Sequence, residues 1–113
     1  MSLALSIDYS DPSSERVYHP FAFQNVLRRS WWPLAKRLNL PLLQKLECLI
    51  IKQRNEAEEL VAEFQAVKLA LQTPETAGVD IDDASYMLKR ISQVEPLIQR
   101  AIQNWEKVDC ISL

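Results

Sequence analysis

Two long stretches of this chain repeat apolar residues at alternating steps of three and four, which is the spacing of one face of an α-helix. The first runs from Pro41 to about Thr73, where Thr73 and Pro74 stop it. The second runs from about 83 to 108 and contains Pro96, which falls nearly opposite the apolar face. We expect one helix that bends at this proline, and two helices meeting near Glu95 are the alternative. The repeated positions are Leu43, Leu46, Ile50, Ala57, Leu60, Phe64, Val67 and Leu71, followed by Ala84, Met87, Ile91, Val94, Ile98, Ala101, Trp105 and Val108.

These stretches predict an all-α fold built on a long antiparallel helical hairpin, with helices over about 41–73 and 83–108. The heptad-like spacing is typical of a coiled coil or a helical bundle. The residues between the helices read as a loop, and Asp82 or Asp83 is the expected N-cap of the second helix.

The low glycine content supports this class. The chain contains a single glycine, Gly78, among its 113 residues, whereas proteins on average contain about 7% glycine. Because tight hairpin turns and β-bulges depend on glycine, an all-β fold is disfavoured. A single glycine also excludes the glycine-rich phosphate loops of nucleotide-binding proteins.

The N-terminal part predicts two further elements. Residues 1–19 read as a flexible arm outside a single helical domain of residues 20–113. Leu3, Leu5 and Ile7 alternate with small or polar residues at strand spacing, but a lone strand needs a partner to pair with. A shorter helix over about 20–39, broken near Trp32 because of Pro33, is expected to pack across the open end of the hairpin.

The stretch LRRSWWPLAKRLNLP, residues 27–41, has two interpretations. Residues 16–45 carry six basic side chains and no acidic one, and bases interleaved with aromatics are typical of nucleic-acid surfaces. The alternative is that the tryptophans cover the hairpin end while the bases reach water over them. We expect the structural role, partly because the sequence pI of about 5.4 is far from the basic values of nucleic-acid domains. The candidate anion or nucleic-acid surface consists of Arg28, Arg29, Trp32, Lys36 and Arg37.

Catalysis has little support in the sequence. His19 is the single histidine and lies next to Pro20 with no acid–base partner nearby. One histidine and two distant cysteines, Cys48 and Cys110, do not form a zinc-binding pattern. We therefore expect a non-enzymatic protein with no catalytic residue, metal or cofactor.

The acidic clusters are expected to be structural. Glu56, Glu59 and Glu63 share a helical surface, but no ExxH motif accompanies them, so a solvated acidic face is favoured over a di-metal site. The aspartates after residue 79 lack the glycine and the terminal glutamate of a calcium loop.

Self-association is the predicted mode of action. A helix apolar on two sides is normally buried on two sides, and the first long helix carries a second apolar side formed by Ile51, Ala62, Ala66 and Leu69. We expect a homodimer, or a helical protein partner, at these residues. The leading function is a protein–protein interaction, assembly or regulatory module, and the alternative is a small nucleic-acid-binding accessory protein.

The expected compartment is the cytoplasm, with no membrane partner. No apolar run approaches the roughly 18 residues of a membrane span. The start of the chain lacks the basic and apolar regions of a secretory signal, and two cysteines suit a reducing compartment.

Overall fold

A computed structural model describes residues 2–11 and 16–113. In that part of the chain, four antiparallel strands form one sheet and the helices pack against one of its faces. The protein is therefore an α+β fold, and the predicted all-α helical bundle is wrong. In chain order the elements are β1 (Ser2–Tyr9), β2 (Val17–Phe23), α1 (Gln24–Val26, a π-helical turn Leu27–Trp31 and Trp32–Arg37), a 3-10 turn (Leu43–Lys45), β3 (Ile50–Ile51), α2 (Arg54–Ala70), α3 (Pro74–Ala77), α4 (Ile81–Gln103), a 3-10 turn (Trp105–Lys107) and β4 (Val108–Ser112).

The two ends of the chain meet in the middle of the sheet. The strand order is β2-β1-β4-β3. Ile7 of β1 pairs with Val17 of β2 on one side and with Ile111 of β4 on the other, and Ile111 pairs with Ile51 of β3. This row faces the helices, and its three isoleucines are completely buried.

The flexible arm predicted over residues 1–19 is wrong for Ser2–Tyr9, which form a central strand bonded on both sides. The alternation at Leu3, Leu5 and Ile7 does reflect a half-buried strand, since Leu5 and Ile7 lie in the core. The sequence did not reveal its partner β4, which lies about a hundred residues later. Residues 1 and 12–15, which also belong to the predicted arm, lie outside the described residues.

The predicted long hairpin is wrong because its first helix is much shorter than expected. The helix predicted over 41–73 begins only at Arg54, and the preceding residues form a 3-10 turn and strand β3. Glu47, within this stretch, adopts a positive φ angle of 85°, which a right-handed α-helix does not contain. The leucines of this stretch are buried, but a compact loop buries them rather than a helix.

The apolar faces of the two remaining long helices are confirmed. In α2, Ala57, Leu60, Phe64 and Val67 are buried against the rest of the core. In α4, the predicted positions from Ala84 to Ala101 are all buried, and Pro96 lies within the helix on its exposed side.

The start of α4 differs from the prediction in its capping residue. Asp80 is the N-cap, and its carboxylate accepts a hydrogen bond from the backbone N–H of Asp82 at 3.2 Å. Asp83, one of the two expected caps, lies inside the helix and is buried. The helix also ends earlier than expected, at Gln103, because Val108–Ser112 form β4.

Helix α1 lies at the opposite end of the helical layer from the one predicted. Arg29 of α1 contacts Asp83 at the start of α4, and Arg37 contacts the carbonyl of Ala77 in α3. The helix therefore packs against the connection between α2 and α4. Its Trp31 completes an aromatic cluster with Phe21, 4.8 Å away between ring centres, and with Phe64, 6.3 Å away.

Candidate interaction surfaces

Helix α1 begins directly after β2 and passes through Pro33 without the predicted break. The reason is the π-helical turn Leu27–Trp31, in which the N–H of Trp32 bonds the carbonyl of Leu27. A proline normally clashes with the carbonyl four residues before it. The wider turn ahead of Pro33 gives the ring room, so the helix continues to Arg37.

The five residues of the candidate nucleic-acid surface lie on one side of α1. The outward positions of α1 recur every four residues, which is about one helical turn. They are 28 and 29, 32 and 33, and 36 and 37. Arg28, Arg29, Lys36 and Arg37 are exposed and Trp32 is half-buried. The opposite side of the helix is buried and consists of Val26, Leu27, Ser30, Trp31, Leu34 and Ala35.

Two of these four bases hold the fold together. The Nε and Nη2 groups of Arg29 donate to the two carboxylate oxygens of Asp83, each at 2.8 Å, and the hydroxyl of Ser30 donates to the same carboxylate at 2.5 Å. The Nη1 group of Arg37 donates to the carbonyl of Ala77 at 2.6 Å. Within the described residues, the side chains of Arg28 and Lys36 make no hydrogen bond or ion pair.

The pKa of Asp83 reflects this environment. The hydrogen bonds from Arg29 are the largest influence and hold the pKa below its usual value, while burial opposes them and the Ser30 hydroxyl adds to them. Asp83 therefore stays ionised inside the protein and fastens α1 to α4.

The two neighbouring tryptophans have different environments. Trp31 is completely buried and Trp32 partly buried, and within the described residues neither indole N–H has a hydrogen-bond acceptor. This agrees with the expected structural role for Trp31. It leaves Trp32 as the aromatic residue on the exposed side of α1.

The predicted oligomer interface is only partly available. Ile51 is completely buried in β3, so it cannot contact another chain without unfolding its own. Ala62, Ala66 and Leu69 do share the outward side of α2, where Leu69 is 68% exposed and Ala66 is half-buried. These three remain a candidate contact surface.

The helix that carries these residues is much shorter than predicted. The prediction was a helix over about 41–73, whereas α2 has 17 residues and α1 packs against the connection that follows it. The radius of gyration is 13.9 Å, close to the 13 Å or so of a compact chain of this length. In the described residues, the shortened α2 leaves no long uncovered helix for a second chain to contact.

The sequence did not predict a further exposed surface, which is the outer face of the sheet. Tyr18 pairs with Ser6, Ser6 with Ser112, and Ser112 with Ile50, so these four side chains form one row across all four strands. Tyr18 and Ile50 are exposed at the two edges, and the two serines between them are partly exposed. This row therefore has bulky apolar side chains at its two ends and small side chains between them.

The edges of the sheet are protected against pairing with another strand. In β2, Pro20 has no N–H and its carbonyl accepts a hydrogen bond from Arg90 at 3.2 Å. The β1–β2 register also shifts beside Pro20, leaving Phe21 unpaired, and β3 has only two residues. Prolines, bulges and short strands all discourage edge-to-edge association. The faces are therefore better contact sites than the edges.

Glu63, which was assigned to a solvated acidic face, is buried. Its carboxylate accepts hydrogen bonds from the backbone N–H groups of Leu42 and Leu43 at 3.1 and 2.9 Å. Burial raises the pKa of Glu63, and the two N–H groups only partly offset this effect. Glu63 anchors the loop before β3 to α2.

Groups suited to catalysis or metal binding are sparse. In residues 2–11 and 16–113, no group of three or more histidine, cysteine, aspartate or glutamate side chains is arranged to hold a metal ion. His19 contacts the carbonyl of Pro20, 2.7 Å from its Nδ1. A pocket of about 540 Å³ is lined by residues of the 73–81 stretch, and one of its two carboxylates, Asp80, already caps α4.

Comparison of this chain with protein-family models, with curated proteins and with solved structures finds no match. None of the helices in the described residues combines the length and the apolar character needed to cross a membrane. Function is therefore inferred from the chain's own surfaces.

Proposed function

We propose that this protein is a non-enzymatic interaction module that associates with a second copy of itself through the outer face of its sheet. The observation that carries the proposal is the exposure of two large apolar side chains on that face, Tyr18 at 67% and Ile50 at 59%. Both belong to the row that also contains Ser6 and Ser112. Apolar side chains that share one exposed face are typical of contact sites.

The dimensions of the row suit a symmetric dimer. Neighbouring strands lie about 4.8 Å apart, so the backbones of Tyr18 and Ile50 are about 14 Å apart, and two sheets pack face to face at about 10 Å. If the two-fold axis lies midway between the two sheets, parallel to the strands and opposite the middle of the row, Tyr18 of each copy faces Ile50 of the other. Each copy then buries both exposed side chains, while the protected edges stay free.

The outward side of α2 is the competing surface for the same function. It carries the three remaining residues of the predicted interface, Ala62, Ala66 and Leu69. Its apolar area is smaller, because two of the three are alanines, and exposed Glu58 and Gln65 lie on the same helix. We therefore favour the sheet face.

Light scattering of the purified protein at micromolar concentration tests the proposal. The expected mass is about twice that of the 13.1 kDa chain, and Ile50→Glu should reduce it by placing a charge in the contact. Leu69→Glu is the matched control, since it introduces the same charge at a similarly exposed residue, and it should leave the dimer intact. A monomer at every accessible concentration overturns self-association. A dimer that only Leu69→Glu dissociates assigns the contact to α2.

A second candidate function is nucleic-acid binding, and one specific observation favours it. Arg28, Arg29, Trp32, Lys36 and Arg37 share one side of α1, and this side contains no acidic residue. Arg28 and Lys36 use their charges for no contact within the described residues, so both are available to phosphates.

Gel retardation of short DNA and RNA tests this second function. Binding should weaken steeply as salt rises, because neutralised phosphates release counterions. The double variant Arg28→Glu/Lys36→Glu should abolish it, whereas Arg100→Glu/Lys107→Glu, with the same change in net charge, should have a much smaller effect. Absence of retardation even at roughly 50 mM salt removes this function.

A further inference from the structure

A rigid aromatic cluster lies where β2 meets α1. Phe23 is the last residue of β2, and 53% of it is exposed. Its ring stacks on that of Tyr86 in α4, with 5.8 Å between ring centres and 23° between the planes. The guanidinium carbon of Arg90 lies 5.0 Å from the centre of the Tyr86 ring. The Phe23 ring is thus packed against Tyr86 and about half exposed to solvent.

Hydrogen bonds hold the support beneath Phe23 in place. The Nε group of Arg90 donates to the Tyr86 hydroxyl at 3.0 Å, and Nη1 donates to the Pro20 carbonyl at 3.2 Å and to the Gln93 amide oxygen at 3.3 Å. These contacts join α4 to β2, the strand that carries Phe23. A ring fixed before binding loses little conformational entropy when a ligand stacks on it.

Two arginines near Phe23 have no acidic partner in the described part of the chain. Within the described residues Arg90 has no carboxylate partner, and neither does Arg28, which follows Phe23 by little more than one turn of α1. The first turn of α1 contains no acidic residue, so its positive helix end is open. Glu47 is the acidic side chain near this end, and it accepts a hydrogen bond from Gln24 at 2.9 Å.

We propose that Phe23 is a stacking site for an unpaired base of single-stranded nucleic acid, with Arg90 and Arg28 contacting neighbouring phosphates. The proposal rests on the second candidate function and extends it to a substrate class and to residues outside α1. An exposed aromatic face beside arginines that have no carboxylate partner is the combination that single-strand binding uses. Bases in a duplex are already stacked on their neighbours, so they cannot use the Phe23 ring.

Fluorescence anisotropy with a labelled mixed-sequence oligonucleotide, single-stranded and as its duplex, provides the test. The wild-type protein should bind the single strand more tightly than the duplex. Phe23→Ala should weaken single-strand binding about tenfold and leave duplex binding unchanged. Phe23→Trp, which keeps a stacking surface, should retain the affinity. Ile81→Ala removes a still more exposed apolar side chain elsewhere and should change nothing. Arg90→Gln should lower the slope of log affinity against log salt by about the value of one phosphate contact.

The outcomes separate this proposal from the function on which it rests. If Phe23→Ala binds like wild type while Arg28→Glu/Lys36→Glu does not, nucleic-acid binding stands and the stacking site is overturned. Equal losses for single strand and duplex also overturn it, because they indicate a general effect on the fold or the charge. If the wild-type protein binds neither nucleic acid, both proposals fall.

Discussion

The guanidinium of Arg29 forms two hydrogen bonds of 2.8 Å with the carboxylate of Asp83, a residue 54 positions later in the chain. The side chain of Arg29 is 57% exposed, whereas that of Asp83 is only 7% exposed. Arg29 of the surface helix α1 therefore supplies the positive charge that balances the buried negative charge of Asp83. This contact orients the basic side of α1 and ties it to α4.

Asp83→Asn should lower the free energy of unfolding at neutral pH, by about 1–3 kcal/mol, since hydrogen bonds to a charged group are lost. The pKa of Asp83 is lowered in the folded protein from its ordinary 3.8. The stability that ionised Asp83 contributes is therefore complete above the unfolded-state pKa, and it disappears as the pH falls through the lower folded-state pKa. Urea denaturation should show the difference from wild type at pH 7 and a smaller one near pH 3. Asp82→Asn, at the exposed neighbour, should show no such pH dependence.

Glu63→Gln should have the opposite pH dependence. Because burial raises the pKa of Glu63 above its ordinary 4.5, its ionised form costs stability at neutral pH, and this cost disappears as the pH falls through the raised pKa. The free energy of unfolding of the wild type, relative to that of Glu63→Gln, should therefore increase as the pH falls from 7 to 4.5. Urea denaturation measures this difference. The exposed Glu106→Gln should follow wild type, and a constant difference for Glu63→Gln would contradict the assignment.

Trp31→Ala should destabilise the protein by about 3–5 kcal/mol, since it removes a fully buried aromatic side chain. Trp32→Ala should cost less, because Trp32 is only partly buried. In the variant Trp32→Phe/Trp105→Phe, Trp31 is the only indole, and its fluorescence should be at short wavelength and resist quenching by acrylamide. Quenching as efficient as that of free tryptophan would show that Trp31 is not in the core.

Gly78→Ala should cost about 1–2 kcal/mol because Gly78 has a positive φ of 73°, a left-handed conformation that disfavours L side chains. An added Cβ would also lie 2.8 Å from Nη1 of Arg37, which must then move away from the Ala77 carbonyl. In a double-mutant cycle measured by thermal unfolding, the Gly78→Ala cost should be smaller in an Arg37→Ala background. An unchanged cost would mean that backbone strain alone accounts for it.

The helical parts of the core were predictable because helix formation is local. The apolar spacing of α2 and α4 specifies which side of each helix is buried, and Leu60, Phe64, Met87 and Ile91 are buried as expected. The clustering of Arg28, Arg29, Lys36 and Arg37 on one side also follows from residue spacing once the stretch is helical. Their partners do not follow, since Asp83 and Ala77 are distant in sequence.

The stretch before α2 shows how a local pattern can mislead. Leu43, Leu46 and Ile50 continue the three-and-four spacing of α2 towards the N-terminus, yet they belong to a turn and a strand. The burial of Leu43 and Leu46 satisfies the apolar requirement without a helix. Backbone conformations such as that of Glu47, at φ 85°, are stabilised by contacts with distant residues, including the hydrogen bond from its N–H to Leu113.

The sequence by itself determined two amphipathic helices, their buried sides and the basic character of residues 28–37, because each depends on contacts within a few residues. Only the tertiary structure decided that the chain forms a sheet. The alternation in β1 was visible, but a strand is stable only when its backbone N–H and C=O groups are paired, and the pairing of Ser6 with Ser112 joins the two ends of the chain. The same pairing creates the exposed row from Tyr18 to Ile50, so this candidate contact surface exists only in the folded protein.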